Sequence, residues 1–524
     1  MKFAGKAVAS ADKVRGGYYT PAPVARFLAR WVLQAGPRIV EPSCGDGAIL
    51  RELAKLSNRV HGVELVAQEA AKSRRFAPVD AGNLFSWLAD TQAGSWDGAA
   101  GNPPYIRFGN LAPGQRDPAL ELMRRQGLRP SRLTNAWVPF VVASTVLVRN
   151  GGRVGLVLPA ELLQVTYAAQ LREFLLSRFR EITLLTFERL VFDGILQEVV
   201  LFCGVVGRGP AQIRTVHLTD ADSLAEACLD VESAPALLHE KEKWTKYFLD
   251  PAAIGLLRTL KGSNAMTRLG SVADVDVGIV TGRNSFFTFT AGQAQELGLM
   301  PHCVPLVSRS SQLSGLIYDT DCRASDVAAG HRTWLLNAPR QPIDLALVAH
   351  IDAGEAAGVH RGYKCSVRKP WWRTPSLWMP DLFMLRQIHA APRLTVNAAA
   401  ATSTDTVHRV RLTTGVDAAA LAAVFHNSVT FAFAEIIGRS YGGGILELEP
   451  AEAEQLPIPA PRHAGAELAR DVDLLLKANE VEKALDVVDR NVLIDGLGFS
   501  GEVVAECRAV WASLRDRRRR RASR

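Results

Sequence analysis

Arg38-Ile39-Val40-Glu41-Pro42-Ser43-Cys44-Gly45-Asp46-Gly47 is the stretch whose reading decides the fold. Its apolar start reads as a short buried strand, its Gly-rich end as a tight turn, and Ala48 to about Leu56 as the helix that follows. Strand, Gly-rich turn and helix in that order form the first unit of a doubly wound α/β sheet. The glycines let backbone approach a ligand closely, and the helix N-terminus faces it. GxGxxG spacing is absent, which disfavours a dinucleotide phosphate clamp.

Working outward, Gly16-Gly17-Tyr18-Tyr19-Thr20-Pro21-Ala22-Pro23 is a Gly/Pro-rich opening. Thr20 is expected to cap a helix with Pro21 at its first position, the helix running through Val24, Phe27, Leu28 and Trp31. On the other side, Arg59-Val60-His61-Gly62-Val63-Glu64 reads as a second strand ending in an acid. An acid about 20 positions after the turn suits ribose hydroxyls; a helix-capping role is the alternative. Asp80-Ala81-Gly82-Asn83-Leu84-Phe85 precedes Ser95 to Gly101, which reads as a third buried strand, and that strand runs into Asn102-Pro103-Pro104-Tyr105. Two prolines fix φ and remove two backbone donors, and each restrains the residue before it to extended geometry. The outcome is a stiff segment with carbonyls and the Asn102 amide able to accept hydrogen bonds beside an aromatic ring. Such a pair suits a flat heterocycle with an exocyclic amino group.

The order Tyr-Thr-Pro, Glu-Pro-x-Cys-Gly-x-Gly, Val-Glu and Asn-Pro-Pro-Tyr resembles the TaqI-type (γ-class) DNA adenine-N6 methyltransferases of restriction-modification systems, over at least Tyr18 to about Ala460. The resemblance implies an S-adenosylmethionine site lined by Tyr19, Thr20 and Pro21. It assigns Glu41 and the Ser43, Cys44, Gly45 turn to the methionine part, and Glu64 to the ribose. The family carries an acid and an aromatic where this chain has Asn83-Leu84, so Asn83 and Asp80 are rivals for the cofactor adenine. Asn102, also at the cofactor's edge, with Pro103 and Tyr105 forms the catalytic set. Acceptors on both N–H bonds of an aromatic amine push its nitrogen towards tetrahedral geometry and stabilise the charge that develops. Duplex adenine must flip out to reach them. Phe192 aligns with the family's second stacking aromatic; a core role is its alternative.

Arg107, Arg116, Arg124, Arg125, Arg129 and Arg132 lie in a polar stretch after Tyr105 that reads as a loop contacting phosphates near the flipped base; a solvated loop without a partner is the alternative. Ala136 to Val148 reads as a helix, Gly152 to Leu158 as a strand, and Pro159 to Leu176 as a further helix. From Leu269 to about Pro459 strands and turns alternate without βα rhythm. The resemblance makes this the target-recognition part, with Arg283, Arg309, Arg368, Arg373 and Arg439 as DNA contacts. Arg368-Lys369-Pro370-Trp371-Trp372-Arg373 interleaves cation and aromatic. Glu467 to Leu493 reads as one helical segment.

The expected architecture is therefore a Rossmann-like class I methyltransferase domain at 1–250, a mixed α/β target-recognition domain at 251–460, and a helical extension with basic tail at 461–524. Length allows such domains, and no apolar run in the 524 residues is long enough to span a bilayer. Seven scattered cysteines without a CxxC pair argue against a disulfide framework and a zinc site, and no metal is expected. Of the net charge of +8, seven arginines and one aspartate between Arg515 and Arg524 account for +6, leaving +2 for the body. That tail is expected to be disordered, either adding salt-dependent, sequence-independent phosphate attraction or standing as a solvated end. The expected protein is a cytoplasmic monomer acting on double-stranded DNA, compatible with a separately encoded endonuclease. Rival readings are an RNA base or protein glutamine methyltransferase using the same chemistry, and a non-catalytic DNA-binding specificity protein. About 270 residues beyond the catalytic half favour a DNA-reading module over the first two.

Overall fold

The computed structural model describes residues 20–106, 108–111, 113–130, 135–189, 191–192, 198–229, 243–341, 344–441 and 443–520. They group into two compact units, one ending at Phe248 and one spanning Leu249–Arg519.

The first unit is built on β1 (Ile39–Pro42), β2 (Val60–Glu64), β3 (Val79–Ala81), β4 (Trp96–Gly101), β5 (Val148–Pro159), β6 (Phe179–Phe187), β7 (Val199–Val206) and β8 (Gln212–Leu218). They form one sheet in the order β3-β2-β1-β4-β5-β7-β6-β8. From β3 to β5 all pairs are parallel, whereas β7 runs antiparallel to both β5 and β6. This is a Rossmann-like α/β sheet. Its strands read as near-continuous apolar runs because both faces are covered, as β7 (Val199–Val206) illustrates. Helices α1 (Ala22–Leu33), α2 (Ala48–Ala54), α3 (Ala67–Ser73) and α4 (Leu84–Ala89) connect the first strands, and α5 (Pro113–Arg125) and α6 (Trp137–Leu147) lie between β4 and β5. Strand order reverses between β1 and β4, the switch point outside which ligands bind in open α/β sheets. At that point Gly101 brings β4 close to β1: a Cβ there would lie 3.3 Å from Pro42 O, a tight contact.

Several expectations are corrected. Thr20 does not cap α1; Pro21 is the cap residue and no side chain bonds the free N–H groups. The polar stretch after Tyr105 folds in part as α5, where Glu121 pairs with Arg124 and Arg125. Helical repulsion among these arginines is relieved by that i,i+4 acid. Residues 159–176 do not form one helix, since β5 reaches Pro159 and the chain then makes two short helical turns before the helix Ala169–Arg178.

The second unit is mixed. Ala273–Asp276, Val407–Leu412, Leu382–Leu385, Leu394–Asn397 and Ile317–Tyr318 form a five-stranded sheet in that order, and Thr288–Phe289, Trp334–Leu336, Cys303–Val307 and Thr402–Ser403 a four-stranded one. The segment after Pro461 belongs to this unit. It is broken at Asn479, whose φ is 61°, into helices Ala466–Lys477 and Val481–Val488. Asp473 stitches the first of them to the sheet, accepting from Leu316 N at 2.8 Å and Ile317 N at 2.9 Å. The basic end is not a solvated tail within the described residues. It is helix Gly501–Arg520, and Arg518 is buried against Glu435. Among the described residues no single helix is long and apolar enough to cross a membrane. The helices Ala418–Phe425 and Ser428–Ile437 are apolar together but bend by 75° and are buried in this unit.

Candidate active site

Where β1, β2 and β4 end, a cavity of about 580 Å3 opens in the first unit. It brings together Thr20, Glu41, Ser43, Cys44, Gly45, Glu64, Asn83, Leu84 and Asn102, nine residues singled out from the sequence. Pro21, Pro103 and Tyr105 support the wall without lining it, and Tyr19 and Arg107 lie outside the described residues.

The turn after β1 owes its shape to backbone no ordinary residue favours. Gly45 and Gly47 have φ of 54° and 86°, and a Cβ on Gly47 would come within 2.9 Å of Ser73 Oγ. Ser73 Oγ in turn donates to Gly45 O at 2.6 Å, tying the turn to α3. Glu64, at the end of β2, accepts from Gly45 N and Val66 N at 2.8 Å each. One carboxylate thus ties the Gly-rich turn to the residue that precedes α3.

Glu41 is only 3% exposed, and among the described residues no donor reaches its Oε2. Burial, with Asp46 and Glu64 nearby, holds its carboxyl well above the usual carboxylate range. A buried carboxylate oxygen without a donor, beside Asp46, Glu64 and Glu69 in the same cavity, fits a ligand carrying positive charge. Leu84, Phe85, Ile106, Leu111 and Phe140 supply apolar lining. Phe85 and Phe140 meet edge to face with centroids 5.0 Å apart, offering a flat slot for a ring.

Asp80 turns outward, accepting from Trp87 Nε1 at 2.7 Å and His61 Nε2 at 2.9 Å. Asn83 caps α4 by accepting from Phe85 N at 3.0 Å and donates to Gly114 O at 3.0 Å. Of the two, Asn83 is the one that lines the cavity.

Asn102 stands where β4 stops, because the next two residues are prolines and can make no ladder bond. Its Nδ2 donates to Thr20 Oγ1 at 3.3 Å, which turns the amide nitrogen to the α1 side. The Thr20 hydroxyl orients the amide instead of capping the helix. Tyr105 is pinned by its hydroxyl, which donates to Val157 O at 2.9 Å. Phe192 is 4% exposed and packs with Phe187, Val191 and Val199 in the main apolar cluster. Among the described residues its side chain is thus buried, as the core alternative expects.

Phe85, Phe140 and the roof residues Ile106, Asn110, Leu111 and Gln115 were missed from the sequence. Phe85 and Phe140 sit within helices and the others in a polar stretch, so no spacing marks them.

Of the expected DNA contacts, Arg283, Arg309 and Arg373 are exposed in the second unit. Two are corrected. Arg368 gives both Nη atoms to backbone, to Thr281 O at 2.8 Å and Val280 O at 2.5 Å. Arg439 donates from Nε to Glu452 at 2.9 Å. A planar five-donor head satisfies internal acceptors as readily as phosphates, and sequence cannot separate the two uses.

Comparison with known proteins gives the family. A model described as Eco57I restriction-modification methylase matches residues 51–192, and one described as Type II methyltransferase M.Eco57I, C-terminal domain, matches residues 241–493. Type II methyltransferase M.AccI of Acinetobacter calcoaceticus is 21% identical over 455 residues, covering 83% of each chain. M.XamI of Xanthomonas campestris pv. amaranthicola is 22% identical over 491 residues, covering 85% of each. The Type IIL restriction-modification enzyme MmeI, solved in complex with DNA, shares the fold at a TM-score of 0.57 with 12% identity, covering 97% of this chain and 75% of that one. Catalytic-half and C-terminal matches follow one another in a single chain whose fold agrees, and the chain belongs to the Type II restriction-modification methyltransferases.

Proposed function

We propose that this chain is a γ-class DNA methyltransferase that transfers a methyl group from S-adenosylmethionine to the N6 amino group of an adenine flipped out of duplex DNA. The observation that carries the reading is that Asn102, on its proline-stiffened segment, lines one cavity together with the acids Glu41, Asp46, Glu64 and Glu69 and the apolar Leu84, Phe85 and Phe140. S-adenosylmethionine, when bound, supplies a methyl already activated on a sulfonium. Glu41 would face its cationic methionine part, Glu64 its ribose, and the slot of Leu84, Phe85 and Phe140 its adenine.

The chain then has one chemical task, to raise the nucleophilicity of an amine whose lone pair is delocalised. The Asn102 side-chain oxygen and the Pro103 carbonyl accept its two hydrogens and stabilise the positive charge on nitrogen. Thr20 and the two prolines hold those acceptors in place, so little reorganisation accompanies the reaction. Flipping costs a few kcal/mol. Stacking on an aromatic returns about 1–3 kcal/mol per base, a role for the pinned Tyr105 ring. Asn at 102 also favours adenine over cytosine-N4 chemistry, since the cytosine enzymes this motif resembles carry Ser or Thr there.

Replacing Asn102 by Ala or Asp is expected to lower turnover roughly a hundred- to a thousand-fold, while affinity for the methyl donor changes little. Turnover that survives either change contradicts the reading.

A further inference from the structure

Residues 356–380 carry five cations (Arg361, Lys364, Arg368, Lys369 and Arg373) and no acid. In the second unit this segment is pressed against the turn Thr281-Gly282-Arg283-Asn284. Behind the turn, Arg368 clasps Val280 O and Thr281 O, and Cys365 Sγ lies 3.8 Å from Thr281 O. Within it, Thr281 Oγ1 donates to Asn284 Oδ1 at 2.5 Å and accepts from Arg283 N at 3.2 Å. Gly282 has φ of 85°, and a Cβ there would sit 2.8 Å from Lys364 Cβ, so the turn and the cationic segment meet without space for a side chain. The turn is held on every backbone group it offers inward.

Its outward side is differently made. Arg283, Asn284 and Ser285 are exposed, and Arg283 forms no ion pair with any described acid. On one flank stand Tyr363, 76% exposed, and Val367, 66% exposed, with the Lys364 ammonium 5.7 Å from the Tyr363 ring centre. On the other, Asn284 and Ser285 open onto a notch of about 250 Å3 shared with Arg309, Arg332 and Thr404. A rigid turn presenting an unpaired guanidinium, between an uncovered aromatic on a cationic ledge and a polar notch, is complementary to a polyanion that also offers flat apolar faces and hydrogen-bonding edges. Duplex DNA has all three.

We propose that Arg283 reads a base edge in the DNA, that Arg368 is the positioning residue that fixes its turn, and that Tyr363 lies against the same duplex. This rests on the DNA-substrate reading above. Direct readout by a guanidinium is two-pronged and fails if its anchor shifts by a fraction of an ångström. Arg368 would then act on sequence choice without touching DNA, which is the opposite of a phosphate contact.

The test is methylation of a duplex library randomised around the modified base, read position by position, with DNA affinity measured across a salt series. The full chain is compared with R283A, R283K, R368K and Y363A. R283A and R283K should relax preference at one base-pair position by roughly tenfold or more. R368K keeps its charge but cannot clasp two carbonyls, so it should relax the same position with an unchanged salt slope. Y363A should weaken binding to all sequences alike. A uniform loss in R283A with the salt slope lowered by about one would make Arg283 a phosphate contact and overturn the inference, as would unaltered selectivity in R283A or in R368K. Wild-type chain that marks no duplex at all would remove the DNA reading itself, and this proposal with it.

Discussion

At the residue scale, Glu41 is the group whose chemistry is most exposed to test. Buried and lacking a donor on Oε2, it holds its proton to higher pH than an ordinary carboxyl. In the ligand-free chain the raised value favours the protonated folded state. That contribution to stability is complete at low pH and is lost as pH climbs through the raised value. A cationic methyl donor reverses the preference, because it favours the carboxylate and expels the proton. Donor affinity should therefore rise with pH, by at most about tenfold per unit, until the free-state value is passed. Titration calorimetry in buffers of different ionisation heat should register proton release with the wild-type chain and none with E41Q. Equal proton release in both would contradict the placement of the donor against Glu41. The acid itself was legible from its place before a Gly-rich turn. Its orphaned oxygen was not, because only the fold decides which donors arrive. Thr20 shows the same limit: Thr followed by Pro reads locally as a helix cap, yet its hydroxyl is spent 82 positions away on Asn102.

At the element scale, helices Ser428–Ile437 and Gly501–Arg520 are joined by a buried ion pair. Arg518 donates from Nη2 to Glu435 Oε1 at 2.6 Å and from Nε to Oε2 at 3.1 Å, and both side chains are 2% exposed. Its remaining nitrogen reaches Ile388 O at 3.2 Å and His389 O at 2.8 Å. Removing the arginine leaves a desolvated acid, so R518A should lose about 3–5 kcal/mol of stability. Exchanging both partners for apolar residues should cost far less. Denaturant unfolding of the full chain, followed in the second unit, measures this; an R518A as stable as wild type would refute the pairing. The sequence placed Arg518 in a run of like charges that reads as solvated, since charge density alone carries no sign of a partner 83 positions earlier. The reading of 107–135 as a loop failed for a related reason: its prolines and arginines mask the acid at Glu121 that makes α5 tolerable.

At the scale of the whole molecule, the two units differ in how far their sequence speaks. In the first, each parallel strand is followed by its own turn and helix, so the signal is local and β1, β2 and β4 stand where the apolar runs and glycines put them. The site is legible for the same reason, because strand ends at a switch point collect their turns in one place. In the second, strands of two to six residues pair across long separations, as Ala273 does with Leu412, and nothing local records the partner. Such a division also separates the functions proposed for the chain, chemistry in one unit and choice of sequence in the other.

The most direct measurement is nucleoside analysis of duplex DNA after incubation with the purified chain and methyl-labelled S-adenosylmethionine. The account predicts label in N6-methyladenine, confined to one sequence context and absent with the Asn102→Ala chain. Label in N4-methylcytosine, in oligoribonucleotide or release factor offered alongside, or in no base at all, would contradict it.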